Sequence, residues 1–447
     1  MKEKALPPNN PDLAFSYNNI GQVYYNMGEL SKASEFYEKA LKIREEARPL
    51  NLPYLAESYD KMGQLHYNMG DYSEALEFYG KANEIYEKIR PLNHPDLAFS
   101  YNNIGQVYYN MGELSKASEF YEKSLKINET ALPSNHLDLA TTYNDIGLAY
   151  NHMGDYLKAL EYYDIAYKIY KKKLPQNHLS LATSCNNIGL VYADMGDYSK
   201  ALEFCQKALK IRETALPADH PLLAPSYSNI GGVYSDMGDY SKAVEFYEKD
   251  LEISNKVLSP NHFSLAVSYN NIGQACANMG NYSKAIGFYD QAIKIEESAL
   301  HSNHLDLASF YGNIGLAYDN MDNYSKAIEF YDKAIKIGEI ALPPNHLDLA
   351  SFYSSIGLAY ENIGDYSEAL NFYKKAHLIK EKALPANHPD LAVSKHDIGL
   401  VYEIMGEYSK ASQLYELAVE IAQQSLSSDH PHLQLYKKSL QNVKKKL

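Results

Sequence analysis

The sequence predicts an all-α chain of stacked helical hairpins. Three observations carry that prediction: a glycine that returns every 42 residues, apolar residues at helical spacing around it, and a proline or glycine at each helix end. Gly21, Gly63, Gly105, Gly147, Gly189, Gly231, Gly273, Gly315, Gly357 and Gly399 mark ten units without an insertion. Their bounds are 11–52, 53–94, 95–136, 137–178, 179–220, 221–262, 263–304, 305–346, 347–388 and 389–430. A fixed period of this length is the mark of a solenoid, whose units bury their cores only against their neighbours. Repeats one and three, from Pro11 to Ile43 and from Pro95 to Ile127, differ only at Ala40 versus Ser124, so a module has been duplicated.

In repeat three, Leu97, Tyr101, Ile104, Gly105 and Tyr108 fall on one face of a 3.6-residue helix. Pro95 suits its first turn, Asn93 or His94 can cap it, and Asp96 favours the positive end of its dipole. Gly112 ends this helix. Ala117, Phe120, Tyr121, Ser124 and Leu125 then carry the same period through a second helix, until Pro133 stops it. Gly105 in mid-helix costs about 1 kcal/mol against Ala. Close approach of the second helix, with Ala117 and Ser124 opposite, is the expected compensation.

Composition excludes several functions. Hydrophobic residues at 45% and charged residues at 22% are those of a chain with a core. Tyr occurs 42 times and Trp never, as expected when a few positions are copied many times. The net charge of -14 argues against nucleic acid and against anionic membranes. No stretch approaches the roughly 18 apolar residues of a membrane span, and the start lacks a signal-peptide core, so the expected location is cytoplasmic. Cys185, Cys205 and Cys276 stand where other repeats carry Tyr, and are expected to be buried hydrophobes. The histidines recurring from His94 through His388 read as loop and cap residues, since equivalent positions in stacked units lie too far apart for a shared zinc ion. No phosphate loop, dinucleotide fingerprint, zinc-protease motif or nucleophile elbow occurs, so neither catalysis nor a cofactor is expected.

A bulky residue followed by Ile-Gly and Tyr in one helix, then Ala, Tyr and Ala or Ser in the next, resembles the tetratricopeptide repeat. That resemblance implies a right-handed superhelix. The 42-residue unit, with Asn-His-Pro-Asp-Leu-Ala before Tyr-Asn-Asn-Ile-Gly, is similar to the cargo-binding repeats of kinesin light chain. It implies a protein-binding scaffold or cargo adaptor, with kinesin heavy chain or cargo as partners and the cytoskeleton as an alternative location. The heptad coiled coil that joins such light chains to the motor does not precede Pro11. Met1 to Asp12 matches Ile379 to Asp390, so residues 1–10 are expected to be the end of a truncated preceding repeat. The second functional class is therefore a sensor or regulatory array whose catalytic domain lies upstream. Pro431 to Lys445 continues the first-helix register, with Gln441 in place of Gly, and 431–447 is expected to cap the array.

In tetratricopeptide arrays the first helix lines a concave groove. Its face opposite the core is Phe15, Asn18, Asn19, Gln22, Tyr25 and Asn26 in repeat one, which gives sixty positions over ten repeats. Eighteen are Asn, among them Asn102, Asn103, Asn144, Asn186, Asn187, Asn229, Asn270, Asn271 and Asn313. An amide offers donors and an acceptor to an extended peptide, and in kinesin light chain the corresponding asparagines contact cargo backbone, so the resemblance implies that role here. Phe15, Tyr25, Tyr67, Phe99 and Tyr109 supply aromatics in repeats one to three. The position of Tyr25, Tyr67 and Tyr109 becomes Asp319, Glu361 and Glu403 in repeats eight to ten. Nine acids against the single base Lys61 predict an apolar anchor near the first repeats and basic peptide segments toward the last.

Overall fold

The chain is described from a computed structural model over residues 10–298 and 305–447. These residues form twenty-one α-helices and one short 3-10 turn, with no strand among them. The helices pair as hairpins of a first helix (A) and a second helix (B), for example Pro95–Asn110 with Leu114–Ala131 in repeat three, and Pro431–Lys444 closes the chain. The segment read as the end of a preceding repeat lies almost wholly outside the described residues.

Most of the described A-helix starts carry a side chain that replaces a missing backbone partner. His94, His136, His178, His262, His346 and His388 each place Nδ1 at 3.2–3.3 Å from the backbone N–H two residues on. His430 does the same for the closing helix at 3.2 Å. The cap of repeat three is thus His94 rather than Asn93. Each of these rings has its Nδ1 lone pair committed to a helix, which is the cap role expected from sequence. The A helix usually ends at a glycine in the left-handed region, such as Gly112 at φ 76°. Repeat eight departs from this: Asp322 occupies the glycine position at φ 56°. A left-handed backbone costs an L-residue about 1 kcal/mol that glycine does not incur. Asp322→Gly is therefore expected to raise the thermal midpoint, by about 0.5–1 kcal/mol of stability. An unchanged or lower midpoint in calorimetry would refute the strain.

The mid-helix glycines admit a ring rather than small side chains. A Cβ on Gly105 would stand 2.7 Å from the Tyr121 ring and 3.3 Å from the Ala117 carbonyl oxygen, so the tyrosine, not Ser124, is what packs on it. The same tyrosine covers Gly21, Gly63, Gly147 and Gly231, and in repeat five Cys205 takes its place over Gly189. All three cysteines are buried and free, and burial pushes the Cys205 thiol up to about 12. Two other tyrosine positions account for much of the rest. Tyr24 and Tyr108 stack on Phe36 and Phe120 at 5.5 and 5.4 Å. Tyr59, Tyr101 and Tyr143 donate their hydroxyls at 2.8 Å to Glu45, Glu87 and Glu129 at the end of the preceding B helix. Tyrosine is thus used within hairpins and as the seam between them.

The chain divides into two compact units, Met1–Pro217 and Ala218–Leu447. The first holds the hairpins of repeats one to five. Its cores run continuously across neighbours, with Ala117, Tyr121, Leu139, Ile146, Ala166 and Leu181 in one cluster spanning repeats three to five. The second holds repeats six to ten and the closing helix, whose Leu433, Tyr436 and Val443 are buried. Repeat six begins differently, with a 3-10 turn at Pro221–Leu223 before the helix Ala224–Asp236. Pro225 has no N–H to give the Pro221 carbonyl, and the Ala224 N–H takes that acceptor instead.

Candidate interaction groove

Successive A helices exchange side-chain hydrogen bonds across their exposed faces, mostly between a residue and the one 43 positions away, with Lys61 to Gln22 at 3.0 Å as a contact of 39. Asn187 donates to Asn144 at 3.2 Å, Asn313 to Asn270 at 2.9 Å, and Asn102 to Asp145 at 3.4 Å. The closing helix extends this row, with His396 and Ser439 3.1 Å apart. A second row runs parallel to it. Asn110 donates to the Tyr67 hydroxyl at 2.6 Å, Asn68 bonds the Tyr25 hydroxyl, Tyr109 meets His152 edge-on at 5.3 Å, and Lys446 bonds Glu403 at 2.9 Å. The 42-residue period makes both rows: one repeat plus one residue is the lateral neighbour on this face.

These rows change the reading of the asparagines. Asn102, Asn144, Asn187, Asn270 and Asn313 each use part of their amide within the array, which gives a structural reason for copying a weak helix former into mid-helix. Each such bond takes one of the four hydrogen-bonding places of an amide, two donors and two acceptor lone pairs, and the others remain for a partner except at Asn102, whose Oδ1 is buried. Asn19 is exposed, and Asn103, Asn229 and Asn271 are half-buried. Asn18 is a correction. It is only 3% exposed, and its oxygen, turned to Arg44, lies 3.1 Å from both terminal guanidinium nitrogens. Asn186 is likewise buried. Arg44, which the sequence did not single out, also donates to the Ser58 hydroxyl at 2.7 Å, so repeat one carries a buried polar network instead of an open amide.

Phe15 and Phe99 are each 59% exposed, whereas Tyr25, Tyr67 and Tyr109 lie half-buried. Tyr25 and Phe99 line a pocket of about 430 Å³ within the first unit, together with Gln22, Glu57, Lys61, Gln64 and Asn103. Its floor includes Asp60, whose carboxyl burial pushes up to about 6 against the hydrogen bond from Tyr86 at 2.6 Å. Burial raises Asp145 further, to about 7. In repeats eight to ten the acids are half-buried rather than an exposed stripe. Burial raises Asp319, with Asp322 adding to it, and raises Glu361 although Tyr373 donates to it at 2.9 Å. Glu403 differs: burial would raise it, but Lys446 and the Tyr415 hydroxyl at 2.8 Å outweigh that and lower it. Lys446, just beyond the closing helix, thus neutralises the last acid of the row.

The chain matches the tetratricopeptide repeat family over residues 14–46, 54–130, 138–214, 179–256, 222–298, 264–340, 306–382 and 348–424. Among curated proteins nothing matches its sequence. Of solved structures, the tetratricopeptide-like repeats of a Podospora anserina protein named for kinesin light chain are 24% identical, with 47% of this chain and 99% of that one covered and a TM-score of 0.41. The apo quorum sensor NprR of B. thuringiensis is 16% identical, covering 81% and 97%, at a TM-score of 0.58. A Pyrococcus horikoshii signal-transduction ATPase with a tetratricopeptide repeat sensor is 16% identical, covering 99% of this chain and 66% of that one, at 0.62. For the latter two, at these identities, the likeness is one of fold.

Proposed function

Since the chain belongs to the tetratricopeptide repeat family, whose repeats bind other proteins, we propose that it is a non-catalytic scaffold holding extended segments of partners along its A-helix face. The pocket of about 430 Å³ between the A helices of repeats one to three supports this most directly. Phe99 offers an apolar wall that nothing in the free chain covers, and Gln64 and Asn103 offer donors and acceptors for a peptide backbone. Membrane insertion is not part of this reading, because no described helix is long and apolar enough to cross one.

The test is capture of partners by the tagged chain, followed by affinity measurements with peptides tiled from what is captured. Phe99→Ala is expected to weaken an aromatic-anchored peptide by about 2 kcal/mol, roughly thirtyfold, without moving the melting temperature. Equal affinity for the two proteins would remove the groove reading. A cargo adaptor of the kinesin light chain type should also bring down a kinesin heavy chain. Transcript sequence upstream of Met1 separates that role from a sensor array, since a heptad segment there supports the adaptor and a nucleotide-binding domain supports the sensor.

A further inference from the structure

One buried residue breaks the repeat without a packing reason. The position held by Ala in eight repeats and by Ser124 in one is Asp250 in repeat six, where its side chain is 5% exposed. Three serines surround its carboxylate. Ser254 donates to Oδ1 at 3.2 Å, Ser268 donates to Oδ2 at 2.7 Å, and Ser228 adds a third hydroxyl bond. No described lysine, arginine or histidine pairs with it, so its charge is held by neutral hydroxyls alone. A buried acid of this kind is costly compared with the alanine that the other hairpins use.

Asp250 forms the floor of a pocket of about 310 Å³ that opens onto the A-helix face within the second unit. Four of its lining residues, Pro225, Ser228, Asn229 and Val267, are groove positions by their place in the repeat. Val257, Phe263 and Val267 stand at its mouth with large exposed surfaces. An anionic floor ringed by hydroxyls beneath apolar walls matches one ligand shape: an aliphatic stem carrying a cation at its end. The corresponding pockets elsewhere have other floors. In repeat one the equivalent cavity holds the Arg44 guanidinium, and in repeat three it holds Ser124, Asn128 and Thr142. In these three repeats the cavity recurs with a different buried group, although Asp12 lines the first and Asp96 and Asp138 line the third, and only repeat six places a carboxylate at the Asp250 position.

We propose that the repeat-six pocket receives a single lysine or arginine side chain of a partner segment, with Asp250 as the residue that selects it. This assignment rests on the groove reading above and gives it a specificity. Burial raises the Asp250 carboxyl, and an arriving cation supplies the countercharge that the free protein lacks.

The experiment uses the full chain and a library of twelve-residue peptides whose central position is lysine, arginine, norleucine or glutamate. Binding is followed by fluorescence anisotropy on the wild type, Asp250→Ala and Asp250→Asn. Asp250→Ala restores the residue of eight other repeats and is expected to melt no lower than the wild type, so loss of folding does not obscure the result. Lysine and arginine peptides should bind both variants at least about tenfold more weakly, with norleucine peptides unchanged. Basic peptides held equally by wild type and Asp250→Ala overturn this assignment alone and leave the scaffold standing. If no peptide in the library binds the wild type, the assignment and the groove reading both fall.

Discussion

Gly189→Leu should unfold the repeat-five hairpin at temperatures where Asn187→Ala leaves it intact, although the two residues lie on the same helix. A Cβ at Gly189 would stand 2.6 Å from Cys205 Sγ, 3.1 Å from the Cys205 backbone nitrogen and 3.2 Å from the Ala201 carbonyl oxygen. The sulfur has little room and the backbone atoms have none, so the B helix itself must move. Overpacking of that kind costs about 3 kcal/mol or more. Asn187 loses one bond to Asn144, worth about 1 kcal/mol, and alanine's better helix propensity returns about half of that. Urea melts give the ordering directly, and an Asn187→Ala protein less stable than Gly189→Leu would invert the assignment of core and groove faces. The milder Gly189→Ala offers a second check. Combining it with Cys205→Ala removes the sulfur contact but not the backbone ones, so the double variant should recover part of the loss and not all of it.

Asp145→Asn should stabilise the protein at pH 8 and leave it nearly unchanged at pH 4. The native carboxyl titrates near 7, whereas an unfolded aspartate titrates near 3.9. Below the lower value both states are protonated and the substitution removes nothing. Between the two, the unfolded chain ionises while the native one holds its proton, so native stability falls as pH rises, and above about 7 the deficit is constant. The displacement sets an upper limit of about 4 kcal/mol, and at a half-buried groove site about 1–2 kcal/mol is expected. Asparagine is the residue of Asn103, Asn187 and Asn271 at this position, so geometry is preserved. Melting curves of the two proteins across pH 4 to 8 should diverge with rising pH. Parallel curves would show that Asp145 is ionised in the folded state throughout.

The hairpins were legible because their signals are local. Gly105, Tyr108, Gly112 and Pro133 act within a few residues of themselves, and the exact repetition multiplied a weak pattern into a certain one. The groove was legible only as a face. Its lateral bonds join residues 43 apart, a spacing with no meaning until the hairpins are stacked, so Asn144 and Asn187 read as free amides when each already holds the other. Asn18 was misplaced for a related reason: Arg44 reaches it from the end of the B helix and draws it inward. Asp250 had left a signal in plain sight, a charged residue in a column of alanines, but one column of ten letters does not say whether the departure is buried or solvated.

The unbroken 42-residue spacing also has a hereditary consequence. Repeats one and three are so nearly identical that their coding sequences invite misaligned exchange, and a crossover between them removes 84 residues, twice 42, in frame. At such a join each A helix again finds its partner one repeat plus one residue away, so the lateral rows re-form and the shortened array folds. What changes is the distance between anchoring points, because the pocket lined by Tyr25 and Phe99 is lost while every downstream repeat keeps its chemistry. Copy number is therefore a ruler that mutation can lengthen or shorten by whole divisions, adjusting which spacing of side chains in a partner fits without redesigning any single contact.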